Sequence, residues 1–97
     1  MELSKIKAYI GFAIKSRSIK YGVDDILKLK SSNLILVSNE LAKSSFEKVQ
    51  NFAIKKSCEV LKFEANDFKE LFVGNESVKA VAIVDKNLAI AIKKCYD

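Results

Sequence analysis

The stretch Ile19-Lys20-Tyr21-Gly22-Val23-Asp24-Asp25-Ile26-Leu27-Lys28-Leu29-Lys30 changes its period partway along, and that change decides how the fold is read. Ile19 and Tyr21 alternate as in a short strand, Gly22 interrupts, and Val23, Ile26 and Leu27 then recur on one helical face suited to burial. Asp24, Asp25 and Lys28 share the opposite, solvent-facing side. Strand, glycine and helix start in that order make a geometry suited to binding. Glycine accepts backbone angles that other residues resist and lets another molecule approach the chain. The first N–H groups of the helix have no partner within it. A plainer account also fits the charges. Asp24 and Lys28 form an i,i+4 pair of favourable orientation, and acidic residues in a first turn complement the helix dipole, as on any surface helix.

Working outward, Leu3, Ile6, Ile10, Ala13 and Ile14 predict an amphipathic helix over residues 2–15, with Gly11 marking a close packing contact. A basic turn, Lys15-Ser16-Arg17-Ser18, leads into the strand at Ile19, and the helix that follows should end near Ser31-Ser32-Asn33. Leu34 to Val37 is a short apolar run between turn residues and reads as a strand buried on both faces. Ser44 and Glu47 have capping-box spacing after the Ser38–Lys43 loop, opening a helix with Phe46, Val49 and Ala53 inside that runs to about Lys56. Glu59 to Phe63 reads as a third strand whose polarity suits a sheet edge. Asn66 can cap a short helix through Phe68, Leu71 and Phe72, stopped by Gly74. Val78 to Val84 is the clearest strand, and Asn87 to Lys94 the last helix, burying Leu88, Ala91, Ile92 and Cys95. The order α-β-α-β-α-β-α-β-α argues for a three-layer α/β/α sandwich around a four-stranded mixed sheet, with Leu34–Val37 and Val78–Val84 central.

Composition narrows the function. The 97 residues suffice for one domain with one core, and 49% apolar with 30% charged residues is an ordinary globular balance. No apolar run is long enough to cross a bilayer and Met1-Glu2-Leu3-Ser4-Lys5 lacks a signal peptide's layout, so a cytoplasmic monomer is expected. With no histidine, and with Cys58 and Cys95 at no metal or redox spacing, histidine-based catalysis and metal sites are not expected. No glycine-rich nucleotide motif is present, and no cofactor is implied. Seventeen basic against twelve acidic side chains leave a net charge of +5, which favours a polyanionic partner, nucleic acid first.

Three segments, in order, resemble one family. Ile10-Gly11-Phe12-Ala13-Ile14-Lys15-Ser16-Arg17-Ser18-Ile19-Lys20-Tyr21-Gly22 is similar to the signature Leu-Gly-Leu-Ala-x-Arg-Ala-Gly-Lys-Leu-x-x-Gly of small bacterial proteins related to the kink-turn-binding ribosomal proteins of the L-seven-Ae and L-thirty-e type. Leu34 to Ala42 resembles that family's buried strand and Ala-x-Asp loop, and Val78 to Asp85 its final strand. The resemblance implies an L-thirty-e-like fold over residues 1–97 and non-enzymatic binding of structured RNA, such as ribosomal or messenger RNA with a kink-turn, possible association with the ribosome included. The family's contact motif, Gly-x-Asn-Glu-x-x-Lys at the start of the second helix, falls on Gly22, Asp24, Asp25 and Lys28, with aspartate replacing both asparagine and glutamate. A second contact loop falls on Gly74, Asn75, Glu76, Ser77 and Val78, with Gly74, Asn75 and Val78 as its candidate contacts, and Arg17 and Lys20 add basic charge. The chemistry is coherent: carboxylates accept from guanine N–H groups, lysine donates to O6, and helix N–H groups suit phosphate oxygens. The doubled aspartate would also repel phosphates, which keeps a protein-docking adaptor of the same fold in view.

Overall fold

The structure, a computed structural model, describes residues 1–97. The nine predicted elements are present in the predicted order: α1 (Leu3–Lys15), β1 (Ile19–Tyr21), α2 (Val23–Leu27), β2 (Leu34–Ser38), α3 (Lys43–Lys55), β3 (Glu59–Phe63), α4 (Ala65–Leu71), β4 (Ala80–Ile83) and α5 (Lys86–Tyr96). The strands make one mixed sheet in the order β1-β4-β2-β3, with only the β2–β3 pair parallel. Every residue of β2 and β4 is buried, as their uninterrupted apolar runs require of central strands, while β3 lies at an edge.

The register sorts the side chains into two cores. Ile19 pairs with Ile83, Ile83 with Leu34, Val81 with Leu36, and Leu36 with Leu61. Period-two alternation therefore puts all of these on one face, against Ile6, Ile10 and Ala13 of α1, Phe68 and Leu71 of α4, and Ala89, Ile92 and Cys95 of α5. The alternate residues Ile35, Val37, Ala80 and Ala82 face the other way, onto Ile26 of α2 and Val49, Phe52 and Ala53 of α3. Helices on both faces of one sheet give the α/β/α sandwich.

Several local readings are corrected. Helix α2 is five residues long and does not reach Ser31; the chain tightens at once, with Lys28 N–H donating to the Asp25 carbonyl and Leu29 N–H to that of Ile26. Leu27 is 37% exposed, so only Ile26 is a fully buried anchor. The capping box at Ser44 does not form: α3 starts two residues earlier than that cap would set, after Ala42, with no side-chain cap. The preceding turn, in which Ser38 Oγ accepts from Glu40 N–H, delivers the chain into the helix instead. Asn66 likewise lies inside α4; the N–H of Ala65 is met across the fold by Asn39 Oδ1 at 3.1 Å. Asp85 caps α5 by accepting from Leu88 N–H at 2.9 Å, so that helix starts before Asn87 and buries Ala89 where Ala91 was expected. Strand β4 starts at Ala80 because Val78 N–H closes a turn onto the Asn75 carbonyl. Gly11 meets no close packing, since a Cβ there would have nothing within 4 Å.

Helices α1 and α3 end alike. Each carries Phe-Ala-Ile-Lys in its last turn, then a residue at positive φ, Arg17 at 57° and Ser57 at 53°. In both, the next amide reaches back to the buried alanine: Ser18 N–H to the Ala13 carbonyl at 2.9 Å and Cys58 N–H to that of Ala53 at 2.8 Å. This left-handed closure satisfies the last carbonyls of each helix and turns the chain into the next strand.

Candidate functional site

At the carboxyl ends of β1, β2 and β3 the sheet leaves an opening. Gly22 holds φ 87° and ψ 151°, a conformation open essentially to glycine alone. Its N–H donates to the Ala80 carbonyl at 2.9 Å and its carbonyl accepts from Ile26 N–H, so one residue ends the β1–β4 ladder and starts α2. Antiparallel pairing brings the residues before β4 to the same place. A groove of about 300 Å³ is lined there by Tyr21, Gly22, Val23, Leu41, Ser77, Val78, Lys79 and Ala80. The two segments that the resemblance marks as contact loops thus supply two walls of one groove.

Around the flank of α2, Lys20, Asp25, Lys28 and Leu29 line a second depression of about 270 Å³. Lys20 and Lys28 are exposed and bonded to no carboxylate, and the Asp24–Lys28 pair does not close. Lys79, by contrast, is committed: its Nζ lies 3.2 Å from Glu40 Oε1 and also donates to the Glu76 carbonyl. Burial alone pushes the Tyr21 phenol above its ordinary value, in keeping with a ring half-buried edge-on to Phe72.

The other sequence-predicted residues disperse. Gly74, at φ 87°, shapes the loop after α4 without lining the groove. Asn75 lines a neighbouring hollow of about 200 Å³ with Lys7, Ile14 and Val73. Arg17 lies beyond the opposite end of β1, where Ser18 accepts from Val84 N–H, and so stands apart from Gly22. Leu41 and Lys79 are groove residues that the sequence did not mark, while Ser77 belongs to the second contact loop. Leu41 comes from the β2–α3 loop, and only the strand order reveals that this loop meets β4.

These features define a class: an α/β/α sandwich with an open, glycine-hinged groove at one end of its sheet, beside free lysines. No protein-family model matches the chain, and no curated protein matches it in sequence. Among solved structures, a protein of unknown function from Bacillus halodurans is similar with a TM-score of 0.83 and 13% identity, over 96% of this chain and 97% of that one. A 15.5kD RNA binding protein of Giardia lamblia is similar with a TM-score of 0.67 and 14% identity, over 99% of this chain and 86% of that one. At such identities the likeness is one of fold. No helix is long and apolar enough to cross a membrane.

Proposed function

We propose that this protein is a non-enzymatic RNA-binding protein that takes structured, kink-turn-like RNA, ribosomal or messenger, at the groove between Gly22–Val23 and Ser77–Ala80. The observation that carries the reading is that these segments, distant in sequence, line one groove, with Lys20 and Lys28 free beside it. The fold shared with an RNA-binding protein and the net charge of +5 support it. The apolar lining of Val23, Leu41 and Val78 suits splayed bases, while Lys28 offers a donor to a base edge or a phosphate.

Titration against a kink-turn RNA and a straight duplex of equal length tests this. Lys28→Ala should cost about 1–3 kcal/mol of kink-turn affinity if the side chain reads a base edge, without changing the fold, because Lys28 is exposed. Gly22→Val should do more harm, through its positive φ and not through a clash, since no atom lies within 4 Å of an added Cβ. An unchanged preference in Lys28→Ala would remove that residue from the site. Tight binding of a protein with no preference among RNAs would favour the adaptor reading, whose specific support is the exposed, unpaired carboxylates of Asp24 and Asp25.

A further inference from the structure

The lysines are not spread evenly. Along α3, Lys48, Asn51, Phe52, Lys55 and Lys56 follow the spacing i, i+3, i+4, i+7, i+8 and so share one face. That face is turned toward α2, and with Leu27 and Leu29 it encloses a groove of about 440 Å³. Its only charged lining residues are the three lysines. None of them is in an ion pair; the carboxylate-bound lysines, Lys5, Lys69, Lys79 and Lys93, all lie elsewhere. Leu29 lines both this groove and the depression holding Lys20 and Lys28, so the two basic surfaces are continuous around the end of α2.

We infer that the α2–α3 groove is a second contact surface for RNA, holding the phosphate backbone of the strand that runs on from the Gly22 groove. The inference rests on the RNA-binding reading above and adds a track to it. Charge complementarity selects the occupant: unpaired cations with no acidic residue among them attract a polyanion and repel a basic peptide. Lys48 and Lys55 are separated by about 10 Å of helix rise, enough to reach different phosphates of one strand. The contact is with backbone and not with bases, because Phe52 is only 8% exposed and Lys56 Nζ stands 5.9 Å from its ring centroid, leaving no aromatic face for stacking. Binding here should therefore be indifferent to sequence and strongly dependent on salt.

The test compares two charge-matched variants of the full chain: Lys48→Gln/Lys55→Gln/Lys56→Gln in this groove, and Lys7→Gln/Lys86→Gln/Lys94→Gln on other exposed, unpaired sites. Each is titrated with a kink-turn RNA carrying long helical arms, from 50 to 200 mM salt, after circular dichroism has shown it folded. Three lost phosphate contacts should flatten the plot of log K against log salt by about 2–3, so that the salt-induced loss of affinity shrinks by roughly twentyfold to fortyfold. The control triple should change the slope by less than about one contact's worth. Shortening the RNA arms should weaken the parent but not the groove variant. If both triples flatten the slope equally, or neither does, while Lys28→Ala still loses kink-turn affinity, the groove is no RNA track and the proposed function stands without it. If the parent binds neither RNA, both readings fall together.

Discussion

Arg17 is the residue at which the resemblance and the structure meet most sharply. It occupies the place of a glycine in the resembled signature, and the chain gives it a φ of 57°, in the left-handed region. For a residue with a Cβ that conformation costs about 1–2 kcal/mol. Arg17→Gly removes the cost but frees the unfolded chain, which returns about 0.4–1 kcal/mol. The guanidinium forms no ion pair and the residue is exposed, so little else is lost. The net expectation is a gain of about 0.5–1 kcal/mol, or a rise in Tm of about 2–8 °C for a domain of this size. Thermal and urea melts of the parent and the variant measure it, with an unchanged m-value showing that both unfold over the same surface. Ser57, at φ 53°, is an internal control, and Ser57→Gly should gain by a similar amount. A stability equal to or below the parent's in Arg17→Gly, beside a gain in Ser57→Gly, would refute the reasoning and show that the arginine side chain stabilises the turn. Because Arg17 stands at the far end of β1 from Gly22, its loss should leave the affinity for a short kink-turn RNA unchanged.

Other expectations follow from the same geometry. Asp24→Asn with Asp25→Glu, the residues of the resembled motif, should tighten kink-turn binding by about 1–2 kcal/mol, the scale of one or two hydrogen bonds, with Tm hardly moved because both sites are exposed; no gain in a titration would mean that the aspartates serve another partner. Gly11→Ala should raise stability by about 0.5–1 kcal/mol in a denaturant melt, since the helix gains a better former and the added methyl meets nothing within 4 Å. Stability should decline in alkali. Burial raises the proton affinity of the Cys58 thiol and the Tyr21 phenol, and hydrogen bonds from Lys5 to Glu2 and from Lys93 to Asp97 and Glu59 raise those of the two ammonium groups. In all four the folded chain holds its proton more tightly than the unfolded chain. Their contributions are therefore complete at neutral pH; that of Cys58 begins to fade past about 8.5, where a free thiol first ionises, and those of Tyr21, Lys5 and Lys93 only past about 10, each being lost as pH rises through the folded value. Melts across pH 7–11 should show Cys58→Ala delaying the start of that decline, and an unmoved onset would exclude the thiol as its cause.

The fold was legible wherever burial alone decides the outcome. Leu34–Val37 and the β4 segment are apolar at consecutive positions, which in a chain of alternating elements leaves room only for central strands. What stayed hidden was decided by contacts distant in sequence. Ser44 and Asn66 carry good local capping signals, yet α3 starts after Ala42 with no side-chain cap, led in by the Ser38 turn, and the first N–H of α4 is met by Asn39 from another loop. The length of α2 is hidden for a similar reason. Leu27 and Leu29 keep the helical spacing, but the chain must leave the helix in time for Ser32 to tuck beneath the sheet, where its hydroxyl donates to the Leu34 and Ile83 carbonyls.

The same distinction explains why the site was half visible. Gly22 and Lys28 stand out as candidates because a strand, a glycine and a helix start are neighbours along the chain. Val78 is marked only through the resemblance, and Leu41 not at all, because β4 inserts between β1 and β2 and only that strand order brings the β2–α3 loop and the loop before β4 to Gly22. Gly22 itself is then constrained twice over. Its amide closes the ladder onto Ala80 while its carbonyl accepts from Ile26, and it does both at a φ of 87°. A side chain at that position would strain the turn before it met any ligand, so the groove and the hinge that opens it depend on the same missing Cβ.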